Sequence, residues 1–112
     1  MQQPQESEIQ LFHAQICQAL ADPTRILLLY QLAESPKNVT ELVTALNMSQ
    51  PTVSRHLKVL REQGMATTER IGTMVKYSLA DHRVIEALDL MRAVLTDNLT
   101  QKSALVGMLA DA

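Results

Sequence analysis

The sequence predicts a mainly helical fold with one small β-hairpin. Apolar residues recur at helical spacing over most of the 112 residues. Over residues 65–79 the pattern changes to two short strands around Ile71-Gly72-Thr73, a glycine-containing turn. The expected order is four helices, a hairpin and one long helix, with residues 101–112 either continuing that helix or forming a further short one.

Length and composition restrict the class of protein. The chain is 46% apolar and 20% charged with a net charge of −2, which is typical of a single soluble domain. We expect residues 1–5 to be a disordered tail and residues 6–112 to form one domain. No apolar run reaches the roughly 20 residues of a membrane span, and residues 1–6 do not resemble a signal peptide. We therefore expect a cytoplasmic protein with no membrane partner.

The first two helices are predicted on either side of an Asp-Pro pair. Residues 6–20 carry apolar side chains at helical spacing and predict an amphipathic first helix. Asp22 is placed to cap the second helix, and Pro23 suits its first position. That helix is apolar almost all round to about Glu34, so it belongs in the centre of the domain. Residues 35–38 have the composition of a loop.

Two shorter helices follow, each with its own expected cap. Thr40 is expected to cap a third helix over residues 41–46, and Ser49 is expected to cap a fourth. Gly64 is a natural stop for the fourth helix. After the hairpin, Asp81 is expected to cap the long helix. The inward stripe of the fourth helix consists of Val53, Leu57 and Leu60.

Two short helices joined by about three residues form a helix-turn-helix when the second is well capped and polar outside. With the apolar stripe facing inward, Gln50, Ser54, Arg55 and Lys58 project outward. Gln can bind adenine and Arg can bind guanine in the major groove, and Ser can bind either base or phosphate. The fourth helix is therefore a candidate DNA-reading helix.

The charge distribution supports this interpretation. Residues 55–83 hold six basic and three acidic residues, a net charge of +3, whereas the rest holds four basic and nine acidic residues, a net −5. Lys58 and Arg61 lie farther along the helix and are better placed for phosphate. Arg70 and Lys76 flank the hairpin turn, as expected of a wing that contacts the neighbouring groove or backbone.

Several segments together resemble the ArsR/SmtB family of bacterial transcriptional repressors. Residues 19–26 are Ala-Leu-Ala-Asp-Pro-Thr-Arg-Ile, and residues 46–64 run from Leu-Asn-Met-Ser-Gln-Pro-Thr-Val-Ser-Arg-His-Leu to Gly64. Residues 70–72 and 75–79 fit the wing of that family, and the resemblance covers about residues 12–95. It implies a winged helix-turn-helix homodimer that represses by occupying a double-stranded DNA operator. The first and last long helices would form the dimer interface.

The resemblance places the fourth helix in the major groove. His56 has a second interpretation, a half-buried structural histidine beside the inward Leu57. The expected DNA-binding residues are Ser49, Gln50, Thr52, Ser54, Arg55, His56, Lys58, Arg61, Arg70 and Lys76.

The family's known metal and thiol sites lack their ligands here. Residues 38–42 are Asn-Val-Thr-Glu-Leu, where one metal-sensing type has Cys-Val-Cys-Asp-Leu. A second type binds zinc at positions that hold Asp81, Arg83, Val94 and Asp97 here, and two imidazoles are missing. The two cysteines of the persulfide-sensing type correspond to Tyr30 and Thr96. We therefore expect no metal and no cofactor.

The single cysteine, Cys17, is the one thiol that could act as a sensor, with His13 four residues earlier on the same helical face. It can equally be a small buried apolar residue. A thiol-reactive effector, a metal shared between chains, and an organic molecule in an apolar crevice all remain open.

Two other functions can be weighed against repression. A winged-helix interaction module without specific DNA binding would tend to show apolar residues outside the fourth helix, and this chain shows polar ones there. An enzyme is not supported, because His13, Cys17 and Asp22 form no group with a substrate cleft or oxyanion donors. The sequence therefore favours a DNA-binding regulator.

Overall fold

The computed structural model describes residues 2–110 and begins with a long helical segment. Helix α1 spans Glu6–Phe12, and a π-helical turn continues it over His13–Cys17. The predicted first helix is therefore correct in position, but the wider π turn was not expected. Residues 2–5 hold no helix or strand, and the part of the tail prediction that concerns Met1 lies outside the described residues.

Helix α2 spans Pro23–Glu34 and begins as predicted. The Asp22 carboxylate accepts hydrogen bonds from the backbone N–H of Thr24 at 2.8 Å and of Arg25 at 3.4 Å. These bonds satisfy two of the donors that a helix start leaves unpaired. The Asp22 cap and the helical Pro23 are both confirmed.

Helix α3 spans Val39–Leu46 and begins earlier than predicted. Asn38, not Thr40, is its cap: the Asn38 side chain accepts from the Glu41 N–H at 2.8 Å, and the Glu41 carboxylate accepts from the Asn38 N–H at 3.1 Å. This reciprocal pair satisfies two backbone donors at once, which a cap at Thr40 could not do with Glu41. The expected Thr40 cap was wrong.

Helix α4 spans Gln50–Glu62 and follows α3 after a tight turn. Asn47 ends α3 in the left-handed conformation with φ of 52°, and Ser49 caps α4 by accepting from the Thr52 N–H at 3.4 Å. Gly64 follows the end of α4 with φ of 76°, a conformation that favours glycine. The predicted Ser49 cap and Gly64 stop are confirmed.

Three antiparallel strands form the sheet, in the order β1-β3-β2. Strands β2 (Ala66–Ile71) and β3 (Met74–Leu79) form the predicted hairpin, closed by a turn at Gly72 with φ of 64°. Strand β1 (Lys37–Asn38) pairs with β3 in a segment that was expected to be only loop. The winged helix-turn-helix fold was correct, and its sheet has one strand more than predicted.

The chain divides into two units at the junction of His82 and Arg83. The first unit contains α1 to β3, and its core is built from α2, α3, α4 and the start of β2. Apolar side chains from these elements fill it, together with one residue before α2 and one residue just before β2. The buried residues are Ala19, Leu28, Leu29, Leu32, Leu42, Val53, Leu57, Leu60, Met65 and Ala66.

The second unit is helix α5, which spans Arg83–Ala110. Residues 101–110 continue this helix, so the alternative of a separate short helix was wrong for them, and residues 111–112 lie outside the described part. None of its 28 residues is buried. Among residues 2–110 no helix is long and apolar enough to cross a membrane. Asp81 as the cap of α5 stays a prediction.

Candidate nucleic-acid interface

The buried stripe of α4 fixes which of its side chains face outward. Val53, Leu57 and Leu60 are each 0% exposed. Since α-helical positions advance by about 100° per residue, the residues between them must lie on other faces. Gln50 and Arg55 are exposed on the outside of the first two turns. The structure therefore exposes both predicted reading residues: Arg55 lies opposite the buried stripe, and Gln50 is exposed as the first residue of α4.

Gln50 and Arg55 have no hydrogen bond or ion pair to other side chains in the described part of the chain. Their donors are therefore available to a ligand. A Gln amide and an Arg guanidinium each match the paired edge groups of one purine in the major groove. Ser54, the third predicted reading residue, is half-buried beside them.

Ser49 and Thr52 shape the beginning of α4. The Ser49 hydroxyl donates to the Thr52 hydroxyl at 2.8 Å and accepts from the Thr52 N–H. Both side chains are thus already used to hold the first turn. Ser49 and Thr52 therefore orient the N-terminal end of α4, which carries Gln50.

Lys58 and Arg61 extend the positive surface along α4. Both side chains are exposed. The Lys58 ammonium lies 3.9 Å from the Glu62 carboxylate, one helical turn away. An exposed pair of this kind is weak and readily exchanged for another anion, so it leaves Lys58 able to contact phosphate.

The two basic residues of the wing are in different environments. Arg70 is exposed and lies next to Ile71 at the end of β2, beside the turn. Lys76 is half-buried on the central strand β3, where it pairs in register with Glu69 on one side and Asn38 on the other. Arg70 is therefore the wing residue with the better access to a phosphate.

His56 lies on the inner side of α4, with a side chain only 12% exposed. Its Nδ1 lies 3.1 Å from Arg25 Nη1, and its Nε2 lies 3.9 Å from the Asp22 carboxylate. This geometry favours the structural interpretation of His56 over base reading. It also involves Arg25, which sequence reasoning missed, because 31 positions separate the two residues and no local pattern joins them.

Asp22 combines helix capping with this contact. Burial alone would raise the pKa of the Asp22 carboxyl. The Thr24 N–H, the neighbouring His56 ring, and the N–H and charge of Arg25 together outweigh it, so the pKa lies below its ordinary value. Asp22 is therefore a stable negative charge at the start of α2, where the helix dipole favours one.

Cys17 ends the π-helical turn and is half-buried, while His13 at the start of that turn is exposed. Within residues 2–110 no group of three or more His, Cys, Asp or Glu side chains is arranged to hold a metal ion. Cys17 is therefore a free, half-buried thiol that belongs to no such group.

Comparison with known sequences identifies transcriptional regulators as relatives of this chain. Residues 22–68 match the family described as "Bacterial regulatory protein, arsR family". The chain is 41% identical over 86 residues to the transcriptional regulator NmtR of Mycobacterium tuberculosis, a match that covers 77% of this chain and 72% of NmtR. It is 47% identical over 81 residues to the transcriptional repressor SmtB of the same species. This match covers 72% of this chain but only 60% of SmtB.

A solved structure matches most of the length of this chain. The homodimeric winged helix-turn-helix DNA-binding domain of Mb0332 from Mycobacterium bovis superposes with a TM-score of 0.73 at 27% identity. The match covers 88% of this chain and 92% of that one. These relatives are regulatory proteins, which agrees with the expectation that the chain is not an enzyme.

Proposed function

Because the chain belongs to the arsR family of bacterial regulatory proteins, we propose that it is a sequence-specific transcriptional repressor. It binds an inverted-repeat operator in double-stranded DNA as a homodimer, and its DNA partner implies a cytoplasmic location. The observation that carries this proposal is the outer face of α4. Arg55 is exposed there and Gln50 is exposed at the first position of the helix, and among residues 2–110 neither pairs with another side chain. The stripe of Val53, Leu57 and Leu60 behind them is fully buried.

We assign different roles to the cationic and polar residues of this surface. Gln50, Arg55 and Ser54 read base edges in the major groove, as their donors and acceptors allow. Lys58, Arg61 and Arg70 contact phosphates, which fixes the position of the protein but carries no sequence information. Ser49 and Thr52 hold the start of α4, and Lys76 supports the wing from β3. His56 belongs to the inner side of the helix.

Exposed apolar surface on α1 and α5 supports the proposed homodimer. Ile9, Leu11 and Phe12 on α1 are each 46% or more exposed, and α5 carries a longer exposed apolar surface. The structure of the homodimeric domain of Mb0332 is similar to 88% of this chain. A two-fold dimer presents two α4 helices, so its site is an inverted repeat with half-site centres about one or two helical turns apart.

The experiment that tests this function is selection of bound DNA from a random pool. We expect enrichment of an imperfect inverted repeat. The matched control is the double variant Gln50→Ala and Arg55→Ala, which keeps the phosphate contacts and should bind the pool without enriching one sequence. If the unaltered protein enriches nothing, the proposed repressor function is wrong and an interaction module without DNA specificity takes its place.

Release of the DNA is proposed to use either the Cys17 thiol or an organic effector. Cys17 lies in the π-helical turn and is half-buried, and an accessible thiol can be oxidised reversibly. Operator titration with and without a mild oxidant separates the two. Release that disappears in Cys17→Ser assigns the response to the thiol, and release that survives in this variant excludes it.

A further inference from the structure

Two sets of polar contacts join the first helical segment to α4, and neither is needed to bury apolar surface. The first is at the end of α4. The Gln15 side-chain amide, on the π-helical turn, donates to the Gln63 carbonyl at 3.2 Å. Gln63 is the residue that immediately follows α4, so this bond satisfies a carbonyl that a helix end leaves unpaired.

The second set is centred on Arg25. Its Nε donates to the Ala19 carbonyl at 2.7 Å, and its Nη2 donates to the Gln18 carbonyl at 2.9 Å. The first helical segment continues beyond the π-helical turn to Ala19, so both carbonyls lie at its end. A cation is favourable there because the end of a helix carries partial negative charge. Arg25 Nη1 lies 3.1 Å from His56 Nδ1 in the second turn of α4. One guanidinium thus connects the first segment, α2 and α4.

The chemistry of the two side chains decides which of them donates the hydrogen bond between Arg25 and His56. A guanidinium only donates hydrogen bonds, so His56 Nδ1 is the acceptor in this contact. Nε2 faces the Asp22 carboxylate at 3.9 Å. His56 is therefore bonded through Nδ1 to Arg25 in the first turn of α2, with its Nε2 near Asp22, the cap of that helix.

We propose that Gln15, Arg25 and His56 are positioning residues that set the orientation of α4 for DNA reading. The proposal rests on the DNA-binding function given above and deepens it. The inner face of α4 consists of apolar side chains, and apolar contacts have no directional preference. Hydrogen bonds at Gln63 and His56 are directional, so they fix the rotation of the helix about its axis. His56 is also adjacent to Arg55, whose guanidinium must meet a base edge to within about 0.5 Å.

The experiment begins with a matched pair of variants on the first segment. Gln15→Ala removes the bond to Gln63, whereas Gln18→Ala removes an exposed side chain of the same type and keeps the carbonyl that Arg25 uses. Both proteins are tested at a temperature where thermal melting shows them fully folded. We expect Gln15→Ala to lower operator affinity about three- to tenfold, the effect of one lost hydrogen bond, and Gln18→Ala to leave it unchanged.

The second pair of variants tests the contact to Arg25. His56→Asn keeps an acceptor near the place of Nδ1, and His56→Leu removes it. We expect His56→Leu to reduce the ratio of operator to non-operator affinity at least tenfold, and His56→Asn to restore part of that loss without changing the preferred base. A new base preference in His56→Asn would instead make His56 a reading residue and overturn its role here. Equal affinities for Gln15→Ala and Gln18→Ala would overturn the role of Gln15.

Hydrogen exchange of the free protein separates this proposal from the proposed function. We expect faster exchange of the α4 amides in Gln15→Ala and His56→Leu than in Gln18→Ala. If this difference appears but the unaltered protein selects no DNA, the positioning contacts stand and the repressor function fails. If the protein selects an operator and the exchange rates do not differ, the positioning role fails alone.

Discussion

Helices α4 and α5 both carry apolar residues at helical spacing, but they use them in opposite ways. The stripe of α4 is fully buried, with Val53, Leu57 and Leu60 at 0% exposure. On α5, nine large apolar side chains from Leu90 to Leu109 are more than half exposed. The same sequence pattern thus supplies the core of the first unit and an uncovered surface in the second.

This difference shows what a helical pattern does and does not determine. Periodicity establishes that one face of a helix avoids water, but it does not say whether the same chain covers that face. Monomeric proteins rarely leave apolar patches of more than a few hundred Å² exposed. The 28 residues of α5 extend about 42 Å at 1.5 Å per residue. A second copy of the chain is the partner that we propose for this surface.

The largest effect is expected in the buried stripe. Leu57→Ala should lower the free energy of unfolding by about 2–5 kcal/mol, because it removes buried contacts and leaves a cavity. Urea denaturation measures this loss, and Leu27→Ala is the matched control because Leu27 is 47% exposed. Equal losses in the two variants would mean that the buried stripe of α4 is not what stabilises the first unit.

The next effect should appear on α5, in association and not in folding. Leu95→Asp should convert the dimer to a monomer and weaken operator binding about a hundredfold or more, because an unpaired charge in an apolar interface is strongly destabilising. Sedimentation and operator titration measure the two changes. Ala93→Asp puts the same charge on the opposite side of α5 and should have neither effect. A Leu95→Asp protein that stays dimeric would show that this surface is not the interface.

Within the first unit, features that depend on local chemistry were easier to predict from the sequence than features that depend on tertiary contacts. The caps at Asp22 and Ser49, the Gly64 stop and the hairpin all follow from local chemistry within a few residues. Strand β1 could not be predicted in this way, because two residues show no periodicity and their pairing with β3 is a tertiary contact. The cap at Asn38 does have a local signal, the three-residue spacing of Asn38 and Glu41, although Thr40 is also a residue type that caps helices.

The candidate site was predictable in composition and less so in geometry. The exposed Arg55 follows directly from the stripe of α4, and the exposed Gln50 follows from its place as the first residue of the helix. The half-buried state of Lys76 depends on its place on the central strand, and the contact of His56 with Arg25 depends on how α2 packs on α4. Neither arrangement could be found without the fold.

Arg55→Ala should distinguish base reading from phosphate contact within α4. We expect a loss of about 1–3 kcal/mol in operator affinity and relaxed preference at one base pair, because a bidentate contact to guanine is removed. Binding to a set of single-base operator variants measures both changes. The exposed Arg61 serves as a control, since Arg61→Ala should weaken all sequences alike. A uniform loss for Arg55→Ala would make it a phosphate contact.

A smaller effect is expected in the wing. Arg70→Ala should weaken binding about equally on all sequences and reduce the slope of log affinity against log salt by about one. Lys76→Ala should change that slope less, because Lys76 is half-buried on β3. Titrations at several salt concentrations compare the two variants. A larger change in slope for Lys76→Ala would place the phosphate contact on the central strand instead of at the turn.

The smallest effect is expected from zinc, and it tests whether α5 does more than associate. At the positions where the resemblance to the ArsR/SmtB family places a zinc site, this chain has Arg83 and Val94 instead of two imidazoles. A guanidinium and a hydrocarbon cannot act as ligands, and Asp81 and Asp97 alone do not provide the three or four ligands of a tight site. Zinc can release DNA only if it binds the free protein more tightly than the DNA-bound protein. Without a tight site, zinc cannot favour one form over the other. Operator affinity should therefore change by less than about twofold between a chelator and micromolar zinc, and zinc-driven release of the DNA would show that α5 also carries a sensor.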